Sequence, residues 1–191
     1  MHKNYLKKYY FIEKFEKSNI DVQKKNTVII YRNYKKKYKI KEIIDLKNFC
    51  RKKGLKFLIS NNVKLSIKLD LDGAYIPSFN NEYNHLSYAI KRGFTLMGSA
   101  HNLKEIRVKE KQRVKNIFIS SIFKKNKNYL GLYKFINLKK LTKTDIIALG
   151  GINRRNLPIL SLTNCYGFAG MSYFDSIQNK KKGPLIKGPL I

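Results

Sequence analysis

Cysteine is nearly missing from this chain: Cys50 and Cys165 stand far apart, with neither a second Cys nor a His at metal-ligand spacing. That excludes a disulfide framework and reads as two reduced core or near-core residues of a cytosolic protein. Histidine is equally thin, and the scatter of His2, His85 and His101 argues against a zinc site. No apolar run approaches the roughly 20 residues of a membrane span, and the N-terminal "MHKNYLKKYYFIEKFEK" lacks the apolar core of a signal peptide. Nucleotide motifs are missing too. No Gly-rich dinucleotide fingerprint follows the first candidate strand, and no Gly-Lys-Ser or Gly-Lys-Thr phosphate loop occurs.

Acidic residues are scarce, 12 against 41 Lys and Arg, which gives a formal net charge of +29. Such a field attracts phosphates, nucleic acids and anionic surfaces. The lysines run from Lys3 to Lys187 in clusters such as "YKKKYK" and "FKKNKN", with no basic arm, so they read first as a diffuse solvated surface. A nucleic-acid footprint is the less favoured reading, resting on the interleaved Tyr and Lys of "YRNYKKKYK".

A length of 191 residues with 43% apolar content fits one domain with one core. Short β-branched or aromatic runs alternate with longer helix-compatible segments. Candidate strands are "KYYFI", "TVIIYRN", "LKFLISN", "DGAYIPS", "FTLMGSA", "NIFISSIF", "IIALGGI" and "YGFAGMS". Between them, residues 36–53 carry Ile40, Ile43, Ile44, Leu46, Phe49 and Cys50 at helical spacing, with Gly54 as a stop, and Asn102 would cap "NLKEIRVKEKQR". "EYNHLSYAIKRG" also reads as a helix, as do a short piece near Leu132 to Leu138 and "NRRNLPIL". Eight such units predict a compact α/β single domain, a (β/α)8 barrel with short helices, with an open doubly wound sheet as the alternative. The barrel is assigned to residues 1–174. The tail, 175–191, is basic and repeats Gly-Pro-Leu-Ile; it would lie along the body, join a homo-oligomer contact, or stay disordered.

Two of the runs break into glycine: "IIALGGIN" at Gly150 and Gly151, and "YGFAGMSYF" at Gly170, Met171 and Ser172. At the C-terminal ends of the last two barrel strands, bare backbone N–H groups and the Ser172 hydroxyl would form a phosphate cup. The plainer reading is that these glycines only make tight turns.

The ordered set "MGSAHNLKE", "ISSIFKKNKNYLGLYKF", "IIALGGIN", "YGFAGMS" resembles the thiamine-phosphate synthase and TenI superfamily, over about Thr27 to Phe174. The resemblance implies a (β/α)8 barrel acting on phosphorylated small molecules. Synthases join a pyrimidine pyrophosphate to a thiazole phosphate with Mg²⁺, releasing pyrophosphate. By that resemblance Arg32 and Lys127 are the catalytic grip on the leaving pyrophosphate. Ser99 and His101 match a Ser-x-His element, Gly151 matches the thiazole-phosphate glycine, and Met171 and Ser172 match the final phosphate loop. The family's two metal aspartates fall at Asn61 and Asn80, and two neutral ligands weaken a hard-cation site. TenI proteins, the branch without that metal pair, act as thiazole tautomerases, and their general-base histidine position is Ser121 here. The expectation is a cytoplasmic thiamine-biosynthesis enzyme of the synthase type, with a relative that binds thiazole phosphate or thiamine phosphate without coupling as the alternative.

Overall fold

Runs rich in Ile, Val, Phe and Tyr form the strands, as their β-branched and aromatic side chains favour. A computed structural model describes residues 6–34 and 37–174. The strands are β1 (Lys7–Ile12), β2 (Thr27–Tyr31), β3 (Lys56–Ser60), β4 (Gly73–Ile76), β5 (Thr95–Ala100), β6 (Asn116–Ile119), β7 (Asp145–Leu149) and β8 (Gly167–Ala169). They pair in parallel and in chain order, and β8 returns to β1 to close a barrel. The predicted (β/α)8 architecture is therefore the observed one; the tail from residue 175 lies outside the described residues.

Among the described residues six helices surround the barrel: α1 (Lys17–Asp21), α2 (Ile40–Lys52), α3 (Val63–Lys68), α4 (Leu103–Lys111), α5 (Gly131–Lys140) and α6 (Leu157–Ser161). Three of them have only five or six residues, which is how a barrel fits into so short a chain. Side-chain alternation along the strands splits the core in two. Tyr10, Ile12, Ile29 and Tyr31 face the helices, whereas Tyr9, Phe11, Val28 and Ile30 join Leu58, Tyr75, Met97 and Phe118 inside the barrel. The interior is filled by rings. Phe118 meets Tyr9, Phe11 and Tyr75 edge-on at centroid distances of 5.1, 5.4 and 5.5 Å.

One expected helix is missing. "EYNHLSYAIKRG" forms only a 3-10 turn, Asn84–Ser87. Its Asn, His, Ser and Tyr are weak helix formers, and its first carbonyl, Glu82, accepts instead from the side chain of Gln112, just past α4. "NIFISSIF" ends as strand at Ile119, because the Ser121 N–H turns to the Asn128 carbonyl at 2.8 Å.

The predicted Asn102 cap is present: its side chain accepts from the Glu105 N–H at 2.9 Å, and Glu105 in turn accepts from the His101 N–H at 2.8 Å. From α4, Lys109 runs fully buried toward the β4–β5 loop. Gly98 leaves the space for its stem, since a Cβ there would lie 2.8 Å from Lys109 Cδ. Substituting Gly98→Ala is expected to cost about 1–3 kcal/mol by overpacking. The cost should be smaller in a Lys109→Ala background, a coupling that urea unfolding of the four-member cycle measures directly.

Candidate functional site

Loops leaving the C-terminal ends of the strands carry the candidate residues on one rim. On the β7–β8 side, Gly150 and Gly151 sit at φ 101° and 75°, a left-handed backbone that glycine adopts without steric cost. The turn after β6 packs against them: the Phe123 N–H donates to the Gly150 carbonyl at 2.9 Å, and a Cβ on Gly151 would lie 2.5 Å from the Lys124 nitrogen. The plainer reading of tight turns is thus part of the truth. A helical turn at 171–174 follows Gly170, whose carbonyl accepts from the Tyr173 N–H at 3.1 Å. The Met171 and Ser172 N–H groups precede the first donor of that turn.

Beside them Asn153, Arg154, Arg155 and Ser172 line a cavity of about 300 Å³. Asn153 holds the entrance to α6 by accepting from the Arg155 N–H at 2.9 Å and the Asn156 N–H at 3.2 Å. Sequence reasoning passed over both arginines. The signal was available, because two cations directly after a glycine-ended strand are what a phosphate pocket uses.

Across the rim, Arg32 follows β2 and lays its guanidinium over the Phe11 ring, 4.7 Å from the centroid. Ser99 is buried and bonds the Tyr75 hydroxyl, whose pKa is raised by burial above all. Tyr34 accepts from Ser60 Oγ at 3.0 Å and meets Phe79 edge-on at 5.4 Å. Tyr38 donates to the Ser60 carbonyl. His101 bonds Glu105 through Nδ1 at 2.9 Å, so its ring is committed to the head of α4. Ser121 Oγ donates to the Lys124 carbonyl at 2.8 Å. Lys127 is exposed on the β6–α5 loop.

Asn61 and Asn80, expected at metal positions, are brought together, but as partners of each other. Asn80 Nδ2 donates to Asn61 Oδ1 at 2.6 Å, and Asn80 Oδ1 accepts from the Glu82 N–H at 2.8 Å. Behind them, Lys109 Nζ donates to the Asn80 carbonyl at 2.6 Å and to Gln112 Oε1 at 2.9 Å. Gln112 Nε2 bonds the Asn80 and Glu82 carbonyls, and His85 Nε2 bonds the Gln112 carbonyl at 2.9 Å. A hard dication wants several charged or unshared oxygens. Here both oxygens are neutral amide oxygens that each already accept a hydrogen bond, the Lys109 ammonium bonds the Asn80 carbonyl, and no group of three His, Cys, Asp or Glu that could hold a metal exists among the described residues. The donor set does not fit Mg²⁺. Lys109 was hidden in sequence as one more lysine, although its position three after Ile106 places it on the buried stripe of α4.

The fold and site define a (β/α)8 barrel with an arginine-lined cavity beside the glycine turns of its last two strands. Residues 14–174 match the family described as thiamine monophosphate synthase, and the chain belongs to that family. It is 29% identical to a thiamine-phosphate synthase of Persephonella marina over 76% of this chain and 73% of that one. It is 26% identical to the Latilactobacillus sakei thiamine-phosphate synthase over 71% of this chain and 62% of that one. Its fold is shared with a thiamine phosphate pyrophosphorylase of Pyrococcus furiosus, at TM-score 0.71 and 19% identity over 93% of this chain and 94% of the other. No helix among the described residues is long and apolar enough to cross a membrane.

Burial holds the Lys109 pKa down to about 8, with Glu105 opposing the shift. Between that value and the ordinary 10.5 the unfolded chain binds more protons than the folded one, so stability linked to this group rises with pH. The melting-temperature advantage of the wild type over Lys109→Met is expected to grow from about pH 7 to about pH 10. A difference that stays flat across that range would contradict a buried, titrating ammonium.

Proposed function

We propose that this chain serves thiamine biosynthesis by holding a phosphorylated thiazole compound, thiazole phosphate or thiamine phosphate, with the phosphate between the ends of β7 and β8. The observation that carries the reading is the shared cavity of Arg154, Arg155 and Ser172 beside the glycine turns. Arginine forks give charge-assisted, bidentate bonds to phosphate, and glycine lets the backbone approach.

In the synthase form of this reading, thiazole phosphate displaces pyrophosphate from a hydroxymethylpyrimidine pyrophosphate, breaking a C–O bond and forming a C–N bond. Arg32 and Lys127 would stabilise the departing charge, and Ser99 would line the floor. The amide pairing of Asn61 with Asn80 favours the second form, a relative that binds the thiazole phosphate or thiamine phosphate without metal-dependent coupling.

Calorimetry with thiazole phosphate tests the shared core of both forms. The double substitution Arg154→Ala, Arg155→Ala is expected to weaken binding by about tenfold or more, as the loss of charge-assisted bonds implies. An affinity unchanged by it, or no binding at millimolar ligand, would remove the phosphate reading. The two forms are then separated by mixing both substrates across a magnesium series and scoring thiamine phosphate. Product that rises with magnesium and vanishes in Lys127→Ala supports coupling; thiazole phosphate binding without product supports the second form.

A further inference from the structure

The rim opposite the phosphate pocket is built for a different partner from the one its family position suggests. We propose that the Asn61–Asn80 amide clasp closes the β3–β4 corner in place of a divalent cation, so that this corner receives a flat heteroaromatic ring, not a metal-bound diphosphate. The inference rests on the reading that the phosphate of the same ligand sits at β7–β8. The ligand class is then a phosphomonoester carrying an uncharged or cationic ring, with no second phosphate to neutralise.

The hydrogen-bond directions support the clasp. Asn80 Oδ1 must face the Glu82 N–H, which fixes its amide and makes Nδ2 the donor to Asn61. Asn61 is itself held at φ 57°, with its N–H on the Tyr75 carbonyl at 2.7 Å, so the clasp ties the end of β3 to the loop after β4. Lys109 and Gln112 anchor the Asn80 carbonyl from behind. That ammonium already occupies the electrostatic role a cation would have in this loop, and it would repel a second one.

What the corner offers instead is aromatic surface. Tyr34 and Phe79 are 50% and 63% exposed, although they pack against each other at the mouth. Phe79 directly precedes Asn80, so the clasp sets the position of its ring. Tyr34 is oriented by Ser60, and Arg32 stands nearby on Phe11. Two exposed rings held by a hydrogen-bonded loop can stack on a heterocycle, and the guanidinium adds a planar donor.

Two measurements test the proposal separately. The first needs no organic ligand: Mn²⁺ is titrated into the protein and the bound fraction read by electron paramagnetic resonance. No bound Mn²⁺ is expected in the wild type, and a bound signal is expected in the Asn61→Asp, Asn80→Asp double variant. Stoichiometric Mn²⁺ on the wild type overturns the clasp. The second is calorimetry with thiamine phosphate, in magnesium and in chelator, for wild type, Tyr34→Ala and Phe79→Ala. The same affinity in both media is expected, with each ring deletion weakening binding about threefold to tenfold while leaving inorganic phosphate unaffected. Binding that requires magnesium, or ignores both rings, overturns the ring subsite. If inorganic phosphate and thiazole phosphate also fail to bind, the phosphate pocket is the part that is wrong, and the Mn²⁺ result still decides the clasp.

Discussion

An eight-strand barrel has an interior just wide enough for side chains to fill, and in this chain Tyr9, Phe11, Tyr75 and Phe118 fill it. Edge-on ring contacts among them fill the interior, so a ligand at the C-terminal rim would rest on top of the plug. The upper members of that plug then shape the rim. Phe11 supports the Arg32 guanidinium, and Tyr75 carries its hydroxyl to Ser99. Packing therefore determines where the polar chemistry can stand.

Short helices make the loops carry an unusual share of the architecture. The β4–β5 connection has no helix beyond one 3-10 turn, yet it holds its place because Lys109 and Gln112 satisfy its Asn80 and Glu82 carbonyls while its own His85 bonds the Gln112 carbonyl in return. A buried ammonium is expensive unless fully bonded. Its two acceptors offset that cost, and the Gly98 gap accommodates its stem. One lysine thus links the Gly-x-Ser-x-His strand, the α4 helix and the loop at the metal position.

Most of the fold was legible from pattern. Eight short apolar runs at barrel spacing, the Asn102 cap and the two glycine endings all stand where the sequence places them. Legibility failed where tertiary bonds replaced local preference. The segment at 82–93 shows helical spacing in Leu86 and Ile90 but is tied to Gln112 through the Glu82 carbonyl and the His85 ring, which no local pattern reveals. The pairing of Asn61 with Asn80 was equally invisible, since the residues are 19 apart and each amide could have faced a ligand. Arg154 and Arg155 were legible but were absorbed into the general basicity of the chain.

The two halves of the rim carry different chemistry. On one side, backbone and glycine are joined by arginines, which raise the positive potential where a phosphate would sit. On the other, carboxylate positions carry amides that bond each other, and the charge that remains is an ammonium turned inward to a carbonyl. Two amides beside a buried lysine supply none of the negative charge that a dication would need. On the proposed reading, a site organised this way would discriminate by ring shape and by one phosphate, the features for which Tyr34, Phe79, Arg154 and Arg155 offer partners.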